Sequence, residues 1–394
     1  MGFRRPRVYL AFFLFVLLFL TLRMANILTA VERISWVEEL CAGTMAKELI
    51  AGLKLPLSYY LETTYGTEDL IVGIVALPFF KILGPSLFAL KMAPFLFSLF
   101  TLVLLFFFMN RHFGAQSAFV ASSLFVICPP SFVQLSLLTV IGHSESLLLS
   151  VAALFSFYEF LYGTRRKVFF LMLFGLFAGF GFGFYHATAV LTLTCLASWF
   201  FLSPRSFLSR EFVFFLVFFL IGLIPWFIFN TNRSYEEFQF LLSAFGGNQG
   251  AIPFSALKRA IQLILLAIPS SYLFFPLFVI PGRVLSYLYC LIVLLIAVPF
   301  IFRQSARIVL RRYDPHKVLP LVLYPLLFIW VYSASSFFIP DAPPPFKVFS
   351  YFTPLQFFSF PLLAVALVHC RRKWMFLGAL LLLAFIGQGA LLFS

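Results

Sequence analysis

Charge is what this chain has least of. Only 11% of its 394 residues are Asp, Glu, Lys or Arg, where a soluble domain carries about 25%. Acids are the scarcer half, 14 against 28 basic residues. Cysteine is thin as well: Cys41, Cys128, Cys195, Cys290 and Cys370 are scattered at spacings that suit neither a disulfide framework nor a metal site. No polar tract is long enough for a separate aqueous domain, and no low-complexity segment or short-period repeat stands out. These shortages exclude a soluble fold, a disulfide-stapled secreted domain and a zinc module.

What is present is hydrocarbon. Hydrophobic residues make up 62% of the chain, Phe alone supplies 59, and the mean hydropathy is +1.04. Apolar runs reach the ~17–25 residues needed to cross about 30 Å of lipid as helix. Lipid offers no partners to open backbone groups, so only helices or a closed barrel can cross it. The runs are continuously apolar rather than alternating, which selects helices. The expectation is an all-α, polytopic integral membrane protein of about 11 transmembrane helices (11–13), plus interfacial helices on the outer face. Spans are expected near 8–29, 86–109, 115–138, 146–162, 168–184, 187–203, 211–230, 284–302, 318–338, 351–368 and 374–393. All belong to one membrane domain, with a first outer loop at 30–85 and a second large one at 231–283.

The net charge of +14 points to topology rather than to nucleic acid. With the N-terminus cytoplasmic, the clusters at Arg4-Arg5-Pro6-Arg7, Arg165-Arg166-Lys167, Arg303 to Arg312 and Arg371-Arg372-Lys373 all fall inside. That asymmetry orients a protein of a cell inner (plasma) membrane. The first apolar run is longer than a signal-peptide core and reads as a retained anchor. Counting Leu70–Leu83 as a span would invert every later basic loop. That stretch also ends in Gly84-Pro85, so it reads as an interfacial helix. The stretch 258–281, punctuated by Pro269, Pro276 and Pro281, reads the same way.

Water-facing chemistry is therefore confined to the outer loops. The first holds the adjacent pair Glu38-Glu39, either solvated helix-start acids or a reactive carboxylate. The second holds Gly142-His143-Ser144-Glu145, where Glu145 opens a purely apolar helix. An acid at that depth is either functional or a helix cap. Tyr185-His186 joins two apolar runs, and a lone His there is either a packing residue or a base. Lys347 and Tyr351 follow a stiff Pro343-Pro344-Pro345 turn, at a level where snorkelling and phosphate contact both favour lysine. Acids, a His and lysines over an apolar body suit chemistry on a lipid-linked phosphate.

The order of these features resembles the GT-C superfamily of polyprenyl-phosphate-sugar-dependent glycosyltransferases. It is closest to family 39-type enzymes such as protein O-mannosyltransferases and aminoarabinose transferases of lipid A. The motifs are Glu38-Glu39 after the first span, Leu49-Ile50-Ala51-Gly52 closing the next helix, and Leu83-Gly84-Pro85-Ser86. Ala89-Leu90-Lys91, Arg111-His112-Phe113-Gly114, Pro129-Pro130 before Glu145, Pro225-Trp226 to Asn230, and Lys347-Tyr351-Pro354-Leu355 complete the series. The match is strongest over 1–165. The resemblance implies inverting transfer of a sugar from a polyprenyl-phosphate donor to a lipid, glycan or protein acceptor on the outer (periplasmic or lumenal) face, among membrane lipids. Glu38 takes the position of a family Asp, with Glu39 beside it; Lys81 or Lys91 would face the lipid phosphate. His143, Glu145, Tyr185, His186, Lys347 and Tyr351 would contact substrate. No cofactor is required by these motifs, and a divalent cation stays an open option. A transporter or flippase of lipid-linked sugars, or a non-catalytic subunit of an envelope-assembly complex, are the competing readings; a transporter would call for charges deep in mid-span.

Overall fold

A computed structural model describes residues 5–31, 37–53, 68–139, 145–207, 209–232, 234–246, 253–271, 279–309, 316–335, 345–370 and 372–393. Among these residues there are helices and turns but no strand. In chain order the main helices are α1 (Arg5–Ala30), α2 (Glu39–Ala51), α3 (Glu68–Leu83), α4 (Leu87–Phe113), α5 (Ala115–Val126), α6 (Pro130–Leu135), α7 (Ser146–Tyr162), α8 (Lys167–Phe184) and α9 (Thr188–Leu202). They continue as α10 (Arg210–Gly222), α11 (Ile224–Asn232), α12 (Glu236–Gly246), α13 (Pro253–Gln262), α14 (Val279–Val309), α15 (Leu319–Ala334), α16 (Pro345–Val368) and α17 (Lys373–Phe393).

Four stretches of these helices are long and apolar enough to cross a membrane: Val8–Thr29, Leu87–Phe113, Lys167–Phe184 and Val284–Arg307. The bent pair α10–α11, with 49° between its halves, makes a fifth. Pro225 explains the bend, because Pro has no amide hydrogen to give to the preceding turn and its ring crowds the carbonyl there. Six shorter apolar helices lie on the remaining expected spans. The expected span at 115–138 departs from its outline. α5 stops at Val126 and α6 restarts at Pro130, because the adjacent Pro129 and Pro130 cannot continue the ladder.

The described helices cluster into two units. One comprises Met1–Leu22, Leu102–Val133 and Asn248–Ser394; the other Arg23–Thr101 and Gln134–Gly247. The first is knit by aromatic rings: Phe125 meets Phe357 edge-on at 5.8 Å and Phe132 meets Phe360 at 5.4 Å. The Gln388 amide donates to the Cys128 carbonyl at 2.7 Å, satisfying an acceptor freed by the α5–α6 break.

Small residues build the second unit. Ala42 and Ala46 of α2 pack with Val72, Ala76 and Phe80 of α3, Ala89, Leu90 and Ala93 of α4, and Phe184 of α8. A Cβ on Gly73 would lie 2.8 Å from Met45 Cγ, so glycine sets the α2–α3 distance. α2 ends at Gly52, whose φ of 86° is left-handed backbone that glycine adopts freely. Further on, Gly175, Gly179 and Gly183 share one face of α8. A Cβ on Gly179 would stand 2.1 Å from the Phe219 carbonyl oxygen, and one on Gly222 would stand 2.4 Å from that of Leu176. This is close backbone crossing through small residues at four-residue spacing.

Candidate active site

The site grows from the start of α2. Glu38 and Glu39 are neighbours there, and a helix turns successive side chains by about 100°. They meet different fates. Glu39 is fully buried. Both its carboxylate oxygens accept from the Lys91 ammonium at 2.6 Å, and its Oε1 also accepts the Thr139 amide at 3.0 Å. The Thr139 segment is tethered in turn, since Ser98 of α4 donates to the Ser136 carbonyl at 2.8 Å. Lys91, 1% exposed, sits on the first turns of α4, whose start is capped by Ser86 accepting from the Ala89 amide at 3.2 Å.

Glu38 is only half-buried, yet its Oε2 is buried and accepts no hydrogen bond from any described residue. The charge of Glu38 also reaches Asp69, on the first turn of α3. Burial first, and the Glu38 charge second, push the Asp69 carboxyl up to about 7. In the sequence Asp69 is one more acid of the first outer loop. Its signal is position alone: it opens the helix that packs on α2.

A raised carboxyl has a signed consequence. The folded protein holds the Asp69 proton more tightly than the unfolded chain does. That contribution is whole below about pH 4 and is lost as pH rises through about 7. Asp69→Asn is therefore expected to flatten the fall in thermal midpoint between about pH 4 and about pH 8. Parallel curves for variant and parent would show an ordinary, low-titrating Asp69.

The other expected site residues are dispersed. Glu145 is fully buried at the head of α7, and its charge acts on Lys91 as well. Lys91 is thus engaged by Glu39 rather than open to a ligand. Lys81 is exposed in the last turn of α3, where the helix dipole favours a cation. Tyr185 is buried and accepts from Thr188 through its carbonyl. His186, in the same turn, packs on Phe182 and Trp226 and has Nε2 3.4 Å from Glu237 Oε1. His143 lies outside the described residues, and so do the side chains of Lys347 and Tyr351, whose backbone belongs to α16. Among the described residues no three His, Cys, Asp or Glu side chains gather as a metal cage.

The helical fold is similar to that of solved structures at low sequence identity. ArnT from Cupriavidus metallidurans, solved bound to undecaprenyl phosphate, superposes with a TM-score of 0.60 at 14% identity, covering 92% of this chain and 61% of that one. The Archaeoglobus fulgidus oligosaccharyltransferase, solved with zinc and sulfate, gives 0.56 at 16% identity, covering 97% and 53%. The chain thus spans about three fifths and about half of those two proteins. Within it, residues 71–229 match the family described as dolichyl-phosphate-mannose-protein mannosyltransferase. No curated protein is matched. The all-helical fold expected from the sequence is the one observed among the described residues.

Proposed function

We propose that the chain is a membrane glycosyltransferase that moves a sugar from a polyprenyl-phosphate donor to an acceptor nucleophile on the outer face. One observation carries the reading: of two adjacent glutamates, Glu39 is consumed by Lys91 and Thr139 while Glu38 keeps a buried oxygen with no described partner. A buried acceptor atom without a donor is expensive in a merely structural role. It suits a base that takes its proton from an incoming hydroxyl or amine. Glu38 would accept that proton as the acceptor oxygen or nitrogen attacks the anomeric carbon and the bond to polyprenyl phosphate breaks. Asp69, its ionisation set near neutrality, lies within electrostatic reach of that proton.

Lys81 is the proposed partner of the leaving phosphate, because Lys91 is engaged by Glu39. Each of the eleven expected spans overlaps one of the four long helices, the bent pair or the six shorter apolar helices, which supports an eleven-span topology with α2 and α3 along the outer interface. The solved neighbour holding undecaprenyl phosphate supports a lipid-phosphate donor. A transporter reading has less support, since the fully buried Glu39 and Lys91 neutralise one another in a local pair instead of lining a route.

The test is release of polyprenyl phosphate from a polyprenyl-phosphate-sugar donor by the purified chain with an acceptor mixture. Turnover is expected, and donor intact after prolonged incubation with sugar, glycan and peptide acceptors would sink the reading. Lys81→Met keeps the aliphatic stem and is expected to raise the donor KM about tenfold or more with a smaller change in kcat. An unmoved KM would leave Lys81 as a helix-terminal charge only.

A further inference from the structure

The net charge of +14 is not shared between the two units. Met1–Leu22, Leu102–Val133 and Asn248–Ser394 hold 16 of the 28 basic residues but only 2 of the 14 acids, Asp314 and Asp341. Arg23–Thr101 with Gln134–Gly247 holds 12 of each. The whole excess belongs to the first unit, and among its described residues there is no Asp or Glu. Part of that excess is gathered at one end of α14, α16 and α17. The Phe300 ring of α14 stands 6.4 Å from the His369 imidazole, just past the end of α16. Arg303 lies one turn beyond Phe300, while Arg372 and Lys373 lead from His369 into α17. Arg303 and Arg372 are exposed, and Lys373 is half-buried with its Nζ 5.7 Å above the Trp374 ring. Bare hydrocarbon adjoins each charge: Phe302 precedes Arg303, and Trp374 and Met375 follow Lys373, all three strongly exposed. From Phe302 an exposed stripe runs back along α14 through Val298, Leu295, Leu291 and Leu288, at steps of three and four residues.

We propose that this end of α14, α16 and α17 binds an anionic phospholipid of the surrounding bilayer, its phosphate among Arg303, Arg372 and Lys373 and an acyl chain along the α14 stripe. The site is independent of the reaction proposed above. The chemistry selects the ligand. Guanidinium groups match phosphate oxygens in pairs, and an exposed tryptophan beside them sits where headgroups meet hydrocarbon. A soluble acidic peptide would answer the charges and leave the stripe bare. A zwitterionic lipid brings its own cation to its phosphate and gains less from three more. Only an anionic lipid satisfies both the charge and the hydrocarbon.

The experiment places the purified full chain in nanodiscs of phosphatidylcholine with a fixed fraction of phosphatidylglycerol. Bromine, which quenches indole emission on contact, is carried by one lipid or the other at equal mole fraction. The emission lost in Trp374→Phe is the Trp374 signal. Trp374 is expected to report phosphatidylglycerol enriched about fivefold or more, the attraction of at least one basic residue at the surface. Trp330, equally exposed on α15 of the same unit, is expected to report none. Arg303→Gln with Arg372→Gln should abolish the enrichment, whereas Arg303→Lys with Arg372→Lys should keep most of it. Both positions are exposed, so thermal midpoints should hold in each variant. Equal quenching of Trp374 by the two lipids, or enrichment that survives both glutamines, overturns the site. Equal enrichment at Trp330 reduces it to a general surface charge and also overturns it. Loss of the enrichment in inorganic phosphate, but not in sodium chloride of the same ionic strength, would assign a soluble-anion site and sink the lipid.

Discussion

Glu38→Gln is expected to lower sugar transfer by about 10²–10⁴ while the protein keeps its thermal midpoint. The carboxamide preserves size, and the oxygen it alters has no described partner to lose. Glu39→Gln should do something different in kind. It removes the counter-charge of a lysine that is 1% exposed and held at 2.6 Å. Breaking one side of such a buried pair costs about 3–5 kcal/mol, a large part of what most domains possess. Lys91→Met should behave like Glu39→Gln, and the double variant should regain part of the loss because neither charge is then stranded. Thermal unfolding beside a transfer assay separates the two behaviours. If Glu38→Gln unfolds the protein while Glu39→Gln leaves it folded and inactive, the roles assigned to the two residues are exchanged.

Gly179→Ala is expected to be the most damaging single-methyl change in the α8–α10 crossing. Its new Cβ would stand 2.1 Å from the Phe219 carbonyl oxygen, a backbone atom that cannot swing aside. The helices must separate, and overpacking of this sort costs about 1–3 kcal/mol or more. Gly181→Ala is the control two residues away. Its Cβ would meet nothing nearer than 3.6 Å, and alanine favours a helix interior over glycine by about 1 kcal/mol. The thermal midpoint should fall for Gly179→Ala and hold or rise for Gly181→Ala. Equal effects would mean that the crossing is not glycine-limited.

The helices were legible because continuous apolar runs have one solution in lipid, and Glu38 stands out in sequence as a candidate through its place after the first run. The pairing of Glu39 with Lys91 was not, since both residues also suit solvent-facing or phosphate-facing roles and only the packing of α2 on α4 unites them. In α8 the sequence displays Gly179, Gly181 and Gly183 as a cluster, but the functional face is Gly175, Gly179 and Gly183 at helical spacing. Trp226 reads in sequence as one more apolar residue; that its N–H is buried without a partner among the described residues depends on the α10–α11 bend and on the nearness of His186. Pro129-Pro130 was visible as a landmark, yet the break it makes in the third expected span was not foreseen.

The Glu39–Lys91 pair also sets an order of assembly. The two residues are 52 positions apart, and a ribosome adding about 5–20 residues per second delivers Lys91 about 3–10 s after Glu39. Through that interval α2 carries an unmatched carboxylate, which bars it from an apolar interior and keeps it in water at the membrane surface. The arrival of α4 neutralises it and releases α2 to dock. A chain stalled or cut before Lys91 is expected to keep its acidic helix undocked.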